Sequence, residues 1–150
     1  MNQPSEAAAD EDTVVIDKNI DIPLDRDTFF REIIRELTKS LENVIGHDET
    51  ASFIALVGGN IADKLNQDYK RSANTSALSR KQVSEALVDL KRRIGGTFEI
   101  TEIYPDKIVL QNTECPFGRM VHGRPALCMM TSNVFGKISA DNLGYAKVDL

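Results

Sequence analysis

The feature that most constrains the fold is a change of hydrophobic period at Gly95-Gly96. Before these glycines, apolar residues recur every three or four positions, the spacing of one face of an α-helix. After them, apolar and polar residues alternate, the spacing of a half-buried strand. The 150 residues suffice for one domain with a substantial core and are too few for two comfortable ones. Helices first and strands second therefore point to an α+β fold, an antiparallel sheet with helices packed on it.

Along the helical part, Pro23-Leu24-Asp25-Arg26-Asp27 introduces a first helix with Asp25 or Asp27 as N-cap. Phe30, Ile34, Leu37, Leu41 and Val44 are spaced 4-3-4-3 and are widened by Phe29, Ile33 and Ile45, which predicts a broad buried face ending at Gly46. Two heptads are too few to specify a coiled coil. The expectation is a helix packed within its own domain, with a homodimer through the N-terminal helices as the second reading. A second helix follows Asp48, with Ile54, Val57, Ile61, Leu65 and Tyr69 along one side and Gly58-Gly59 in its middle. Each glycine costs a helix roughly 1 kcal/mol relative to Ala, so a neighbouring helix is expected to approach closely there. Ser79 with Gln82 forms a capping box for a third helix, with Val83, Leu87, Leu90 and Ile94 inward. Lys91-Arg92-Arg93 reads as its solvated end, where positive charge suits the helix dipole.

Beyond the glycines, Phe98, Ile100 and Ile103 alternate imperfectly with polar residues. Pro105-Asp106-Lys107 is a turn signal, and Ile108-Val109-Leu110 completes an antiparallel β-hairpin. Pro125 can open a long fourth helix that runs to about Leu143 and stops at Gly144. Residues 145–150 read as a final strand with an exposed edge.

Charge is unevenly placed. Residues 1–22 hold six carboxylates against Lys18 alone, which accounts for the net charge of −5, and the remaining residues balance. Residues 1–22 are therefore expected to form a disordered acidic tail, with Val14, Val15 and Ile16 as a short docking strand. Residues 23–150 form the single domain. A neutral body with an acidic tail has no electrostatic footprint for nucleic acid. No run reaches the ~20 apolar residues of a membrane span, and the N-terminus lacks the basic start and apolar stretch of a signal peptide. Two cysteines without an export signal suggest a reducing compartment, the cytoplasm.

Chemistry concentrates in Cys115-Pro116-Phe117-Gly118 and Leu127-Cys128-Met129-Met130-Thr131-Ser132-Asn133, with His122 between them. Cys115, His122 and Cys128 are candidate metal ligands, although gaps of six and five residues do not close a tight zinc knuckle. The same cysteines are a candidate redox pair, since Arg119, Arg124 and a helix N-terminus favour thiolate. They can also be plain buried hydrophobes. Phe117 and Met130 are candidate pocket walls, and Asn133 is a buried polar group in need of a partner. No His-Glu-x-x-His or Gly-x-Ser-x-Gly is present, so no enzyme is expected.

Asp89-Leu90-Lys91-Arg92-Arg93-Ile94, Cys115-Pro116-Phe117-Gly118, Leu127-Cys128-Met129-Met130-Thr131-Ser132 and Asn142-Leu143-Gly144-Tyr145, in this order and spacing, resemble the methanogen output domain 1 family. That family is similar, more distantly, to the vinyl-4-reductase-like domains, which share a helix-then-sheet layout and a cysteine-bearing loop before the last long helix. The resemblance implies a small-molecule or metal-linked sensory module in bacterial or archaeal signalling. It also implies that relatives continue past the position of Leu150 into a strand with a further cysteine.

The resulting expectation is a non-enzymatic signal-transduction module of a prokaryotic cytoplasm. It responds to a small molecule or a thiol redox change and acts through contacts with a signalling partner and as a homodimer, without nucleic acid or membrane. A constitutive scaffold and a metal-binding regulator are the alternatives.

Overall fold

A computed structural model describes residues 21–118 and 125–150. Residues 1–20 of the acidic tail, with the strand expected at Val14, Val15 and Ile16, and also Arg119, His122 and Arg124, lie outside the described residues. The elements run α1 (Arg26–Ile45), α2 (His47–Ser72), α3 (Arg80–Arg93), β1 (Phe98–Ile103), β2 (Ile108–Asn112) and α4 (Pro125–Leu143). This is the α+β order that the change of period implies.

Local chemistry sets the boundaries. Asp25 caps α1, its carboxylate accepting from Thr28 N–H at 2.7 Å. This bond holds the Asp25 carboxyl below its usual range. The capping box of α3 is present in full: Ser79 Oγ accepts from Gln82 N–H, and Gln82 Oε1 accepts from Ser79 N–H at 2.9 Å. One residue, Gly46, with φ of 85°, separates α1 from α2. That backbone region is open to glycine and costly for other residues, so the elbow is as short as it can be.

β1 and β2 pair antiparallel, with Phe98 opposite Asn112, Ile100 opposite Leu110 and Ile103 opposite Ile108. The register shifts between Ile100 and Glu102, leaving Thr101 as the extra residue of a bulge. The bulge explains the imperfect alternation. It returns Ile103 to the face that Phe98 and Ile100 share, opposite the alternate residues Ile108 and Leu110.

α4 is the central element. It packs against α2 along one side and against α3 on another, and Phe135 meets Phe98 of β1 edge-on at 5.5 Å. A helix covered on several sides is apolar around most of its circumference, which suits the run from Leu127 to Ile138. Ala62, Val83, Leu87, Leu90, Val134 and Ile138 form the middle of the core. Asn142 ties three elements together: its Nδ2 donates to Asn66 Oδ1 of α2 at 2.7 Å and to Ile138 O of α4 at 2.8 Å. Its Oδ1 accepts from Leu78 N–H, just before α3, at 2.8 Å.

Four expectations are corrected. The broad face of α1 is not buried: Phe30 is 56% and Leu37 60% exposed, because among the described residues α2 is its one substantial neighbour; Thr38 of α1 is 2% exposed. On α2 the buried line is Thr50, Ile54, Gly58, Ala62 and Asn66, while Val57 and Ile61 are exposed. Small residues there admit α4 more closely than the larger stripe would. On α3, Lys91 is buried and Ile94 exposed. Residues 145–150 form no strand, and the sheet has two strands among the described residues. Val148 satisfies its apolar side chain against α4 instead, 3.6 Å from where a Cβ on Gly136 would lie.

Candidate functional site

The Cys115-Pro116-Phe117-Gly118 segment leaves β2 in a tight turn, Gly118 N–H donating to Cys115 O at 2.9 Å. It lies against the end of α3, because a Cβ on Gly96 would be 3.1 Å from Pro116 Cγ. Gly96 N–H in turn donates to Lys91 O at 2.8 Å. Cys115 is exposed, Phe117 is half-buried, and both cysteines are free thiols.

Beneath this loop sits Lys91, only 3% exposed. Its Nζ donates to Thr131 Oγ1 of α4 at 2.6 Å and stands 5.4 Å from the ring centres of both Phe98 and Phe135. Aromatic faces and one hydroxyl are partial compensation for a desolvated ammonium. Burial lowers the Lys91 pKa from its ordinary value, and the charge of an ionised Cys115 opposes that fall. Lys91 therefore links α3, α4, β1 and the cysteine loop in one polar contact set. The sequence carried a signal for it, since Lys91 falls four residues after Leu87 and eight after Val83, on the buried stripe.

Two residues earlier, Asp89 accepts from Tyr69 Oη at 3.0 Å and Arg93 Nε at 2.6 Å, and also pairs with Arg92. The Arg93 bond leads in holding its carboxyl down at about 2, with Arg92 and Tyr69 adding to it. Burial, followed by the Asp89 bond, pushes the Tyr69 phenol up to about 12. This is a structural clasp between α2 and α3 that keeps Arg92 and Arg93 on the outer side.

Met130 and Asn133 come together on the opposite side of α4, over Gly58. A Cβ built on Gly58 would lie 2.9 Å from Asn133 Cβ and 3.3 Å from Met130 Sδ, whereas one on Gly59 meets nothing within 4 Å. The close helix approach expected at the glycine pair is thus made by Gly58 alone. Asn133 Nδ2 is buried there without a hydrogen-bond partner. Cys128 is half-buried on the first turns of α4. The structure thus divides the candidate residues: Cys115 belongs with Lys91, and Met130 and Asn133 with Gly58. Among the described residues no three His, Cys, Asp or Glu side chains gather to hold a metal ion, and the third expected ligand, His122, is outside them. No helix among them is long and apolar enough to cross a membrane.

Among curated proteins and among solved structures, nothing matches this chain. A family model does, over residues 33–150, a span that takes in most of α1, the Lys91 contact set, the cysteine loop and all of α4. This chain belongs to the methanogen output domain 1 family.

Proposed function

We propose that the chain is a non-catalytic signalling module of the cytoplasm that acts through protein–protein contacts, the first of them with a second copy of itself. The carrying observation is the uncovered apolar face of α1. Phe29, Phe30, Ile33, Ile34, Leu37 and Val44 all stand exposed, within one broad side of the helix. The surface continues past the elbow, where Ile45 shares an open cleft of about 520 Å³ with Phe53 and Leu56 of α2. Together these nine side chains make up one broad apolar surface, and a standard interface takes ~800 Å² from each partner. An apolar surface of this size is far more than single exposed residues explain.

A second copy suits this face because its flanks carry both signs. Arg31 with Glu32 and Arg35 with Glu36 alternate along α1, so two α1 helices can meet with opposite charges opposed. Input to the module fits a small molecule or a thiol change at Cys115, which is exposed and coupled to the buried Lys91. Displacing the cysteine loop would disturb the joint of α3, α4 and β1 together.

Sedimentation equilibrium of the full chain and of Phe30→Glu/Leu37→Glu is the test. A wild-type dimer that becomes monomeric in the variant, with helical circular dichroism retained, is expected. A wild-type monomer throughout the micromolar range, or a variant dimer of unchanged affinity, refutes the reading.

A further inference from the structure

A half-open groove of about 570 Å³ lies between β2, the second half of α4 and residues 143–150. Its walls include Leu87, Phe98, Leu110, Phe135, Leu143 and Val148. That volume and apolar lining fall in the range of small-molecule sites, which add a few well-placed polar groups to an apolar cleft.

Two polar side chains in this wall have no partner among the described residues. Ser139 is 9% exposed, and its hydroxyl makes no hydrogen bond. Serines and threonines within helices ordinarily turn back to a carbonyl one turn earlier. Thr38, Thr50, Ser52 and Ser84 all do so here. Ser40, Ser132 and Ser139 do not, and of these three only Ser139 is buried, where it contributes to the groove wall. The second is Arg80, half-buried at the start of α3, whose guanidinium makes neither an ion pair nor a hydrogen bond among the described residues. Lys147 pairs with Asp149 at 3.1 Å, Lys107 stands 4.9 Å over the Tyr104 ring, and Asp106 is on the exposed hairpin turn. Arg80 and Ser139 both line the groove, and the bond from Leu78 N–H to Asn142, three residues after Ser139, ties the start of α3 to the end of α4.

We infer that this groove binds a small amphipathic carboxylate. Its apolar body would lie along Phe98, Leu110 and Phe135, and its carboxylate would be received by the Arg80 fork and the Ser139 hydroxyl. The groove lining includes neither the Cys115 loop nor the Gly58 contact, but Phe98 and Phe135 are shared between the groove wall and the Lys91 ammonium. Occupancy would therefore press on the same joint as the cysteine loop. The inference deepens the signalling reading by naming its input, and relies on that reading for its purpose, not for the binding.

Isothermal titration of the full chain with 4-phenylbutanoate and octanoate, each against its primary amide, tests the site. Saturable one-to-one binding of at least one acid is expected, with its amide roughly tenfold or more weaker, as loss of a charged hydrogen bond implies. Arg80→Met should weaken the acid by a similar factor and leave the amide unchanged, and Ser139→Ala should weaken the acid a few-fold. Neither variant should lower the urea midpoint, since neither side chain has a partner to lose. Acid and amide binding alike, acid binding undiminished in Arg80→Met, or no saturable binding of either acid at millimolar concentration overturns the inference. Sedimentation of the same samples separates the two readings. A monomer that binds the acid removes only the dimer, and a dimer that binds neither acid removes only the groove.

Discussion

Gly58 and Gly59 offer an internally controlled test of how α2 meets α4. Replacing either by alanine removes the same backbone-entropy cost, worth about 1 kcal/mol in a helix. Only at Gly58 does the new methyl meet an obstacle, Asn133 Cβ at 2.9 Å, an atom fixed to its own backbone. Met130 Sδ at 3.3 Å can swing aside, but Asn133 Cβ moves only if α4 moves. Overpacking of this kind costs about 1–3 kcal/mol. The helix term cancels between the variants, so their difference isolates the packing term. Gly59→Ala should be more stable than wild type by about 1 kcal/mol, and Gly58→Ala less stable than Gly59→Ala by about 1–3 kcal/mol. With a urea m-value of roughly 2 kcal/mol/M, their midpoints should differ by about 0.5–1.5 M. Protein concentration must be held fixed, because association shifts apparent stability. Equal midpoints for the two variants, or a higher one for Gly58→Ala, would refute the close contact.

Three further outcomes follow from the polar contacts of Lys91, Asp89 and Asn142. Burial lowers the Lys91 pKa below its ordinary 10.5, so the unfolded chain holds that proton more tightly and wild-type stability gains from this group as pH rises toward 10.5. Lys91→Met should lack that gain, so urea midpoints of the two proteins that stay parallel as pH rises all the way to 10.5 would contradict it. Asp89 has the opposite sign: its carboxyl is held at about 2 against an ordinary 3.8, so its contribution is complete above pH 3.8 and disappears as pH falls through about 2. The stability difference between wild type and Asp89→Asn should shrink between pH 5 and pH 2.5, and a constant difference counts against the clasp. Asn142→Ala strands Leu78 N–H and the Asn66 amide, and should cost roughly 2–4 kcal/mol in urea unfolding; a loss under about 1 kcal/mol would show that these bonds are replaced.

Local signals carried well from sequence to structure. The capping box at Ser79, the N-cap at Asp25, the stop at Gly144 and the hairpin around Pro105-Asp106-Lys107 depend on neighbours within a few residues. Even the bulge at Thr101 was visible as a broken alternation. What failed was the assignment of faces. Period shows that α1 has an apolar side, but whether its own domain covers that side depends on where Gly46 sends the helix. Lys91 looked like one member of a basic run because its partners Phe98, Thr131 and Phe135 come from two later elements, β1 and α4. Arg80 and Ser139 carried no local signal at all. Their significance lies in bonds they do not make, which only the folded surroundings define.

The single-residue elbow has a mechanical consequence. α1 is a rod of 20 residues, about 30 Å long at 1.5 Å per residue, and it is hinged at one end by Gly46. A rotation of roughly 10° at that glycine would carry the far tip of a 30 Å rod through roughly 5 Å. The core formed by α2, α3 and α4 need not repack for this to happen, because α1 contributes none of its members. The joint thus has the proportions of a pointer on a pivot, in which a displacement too small to disturb the body becomes a movement large enough to open or close a contact at the tip.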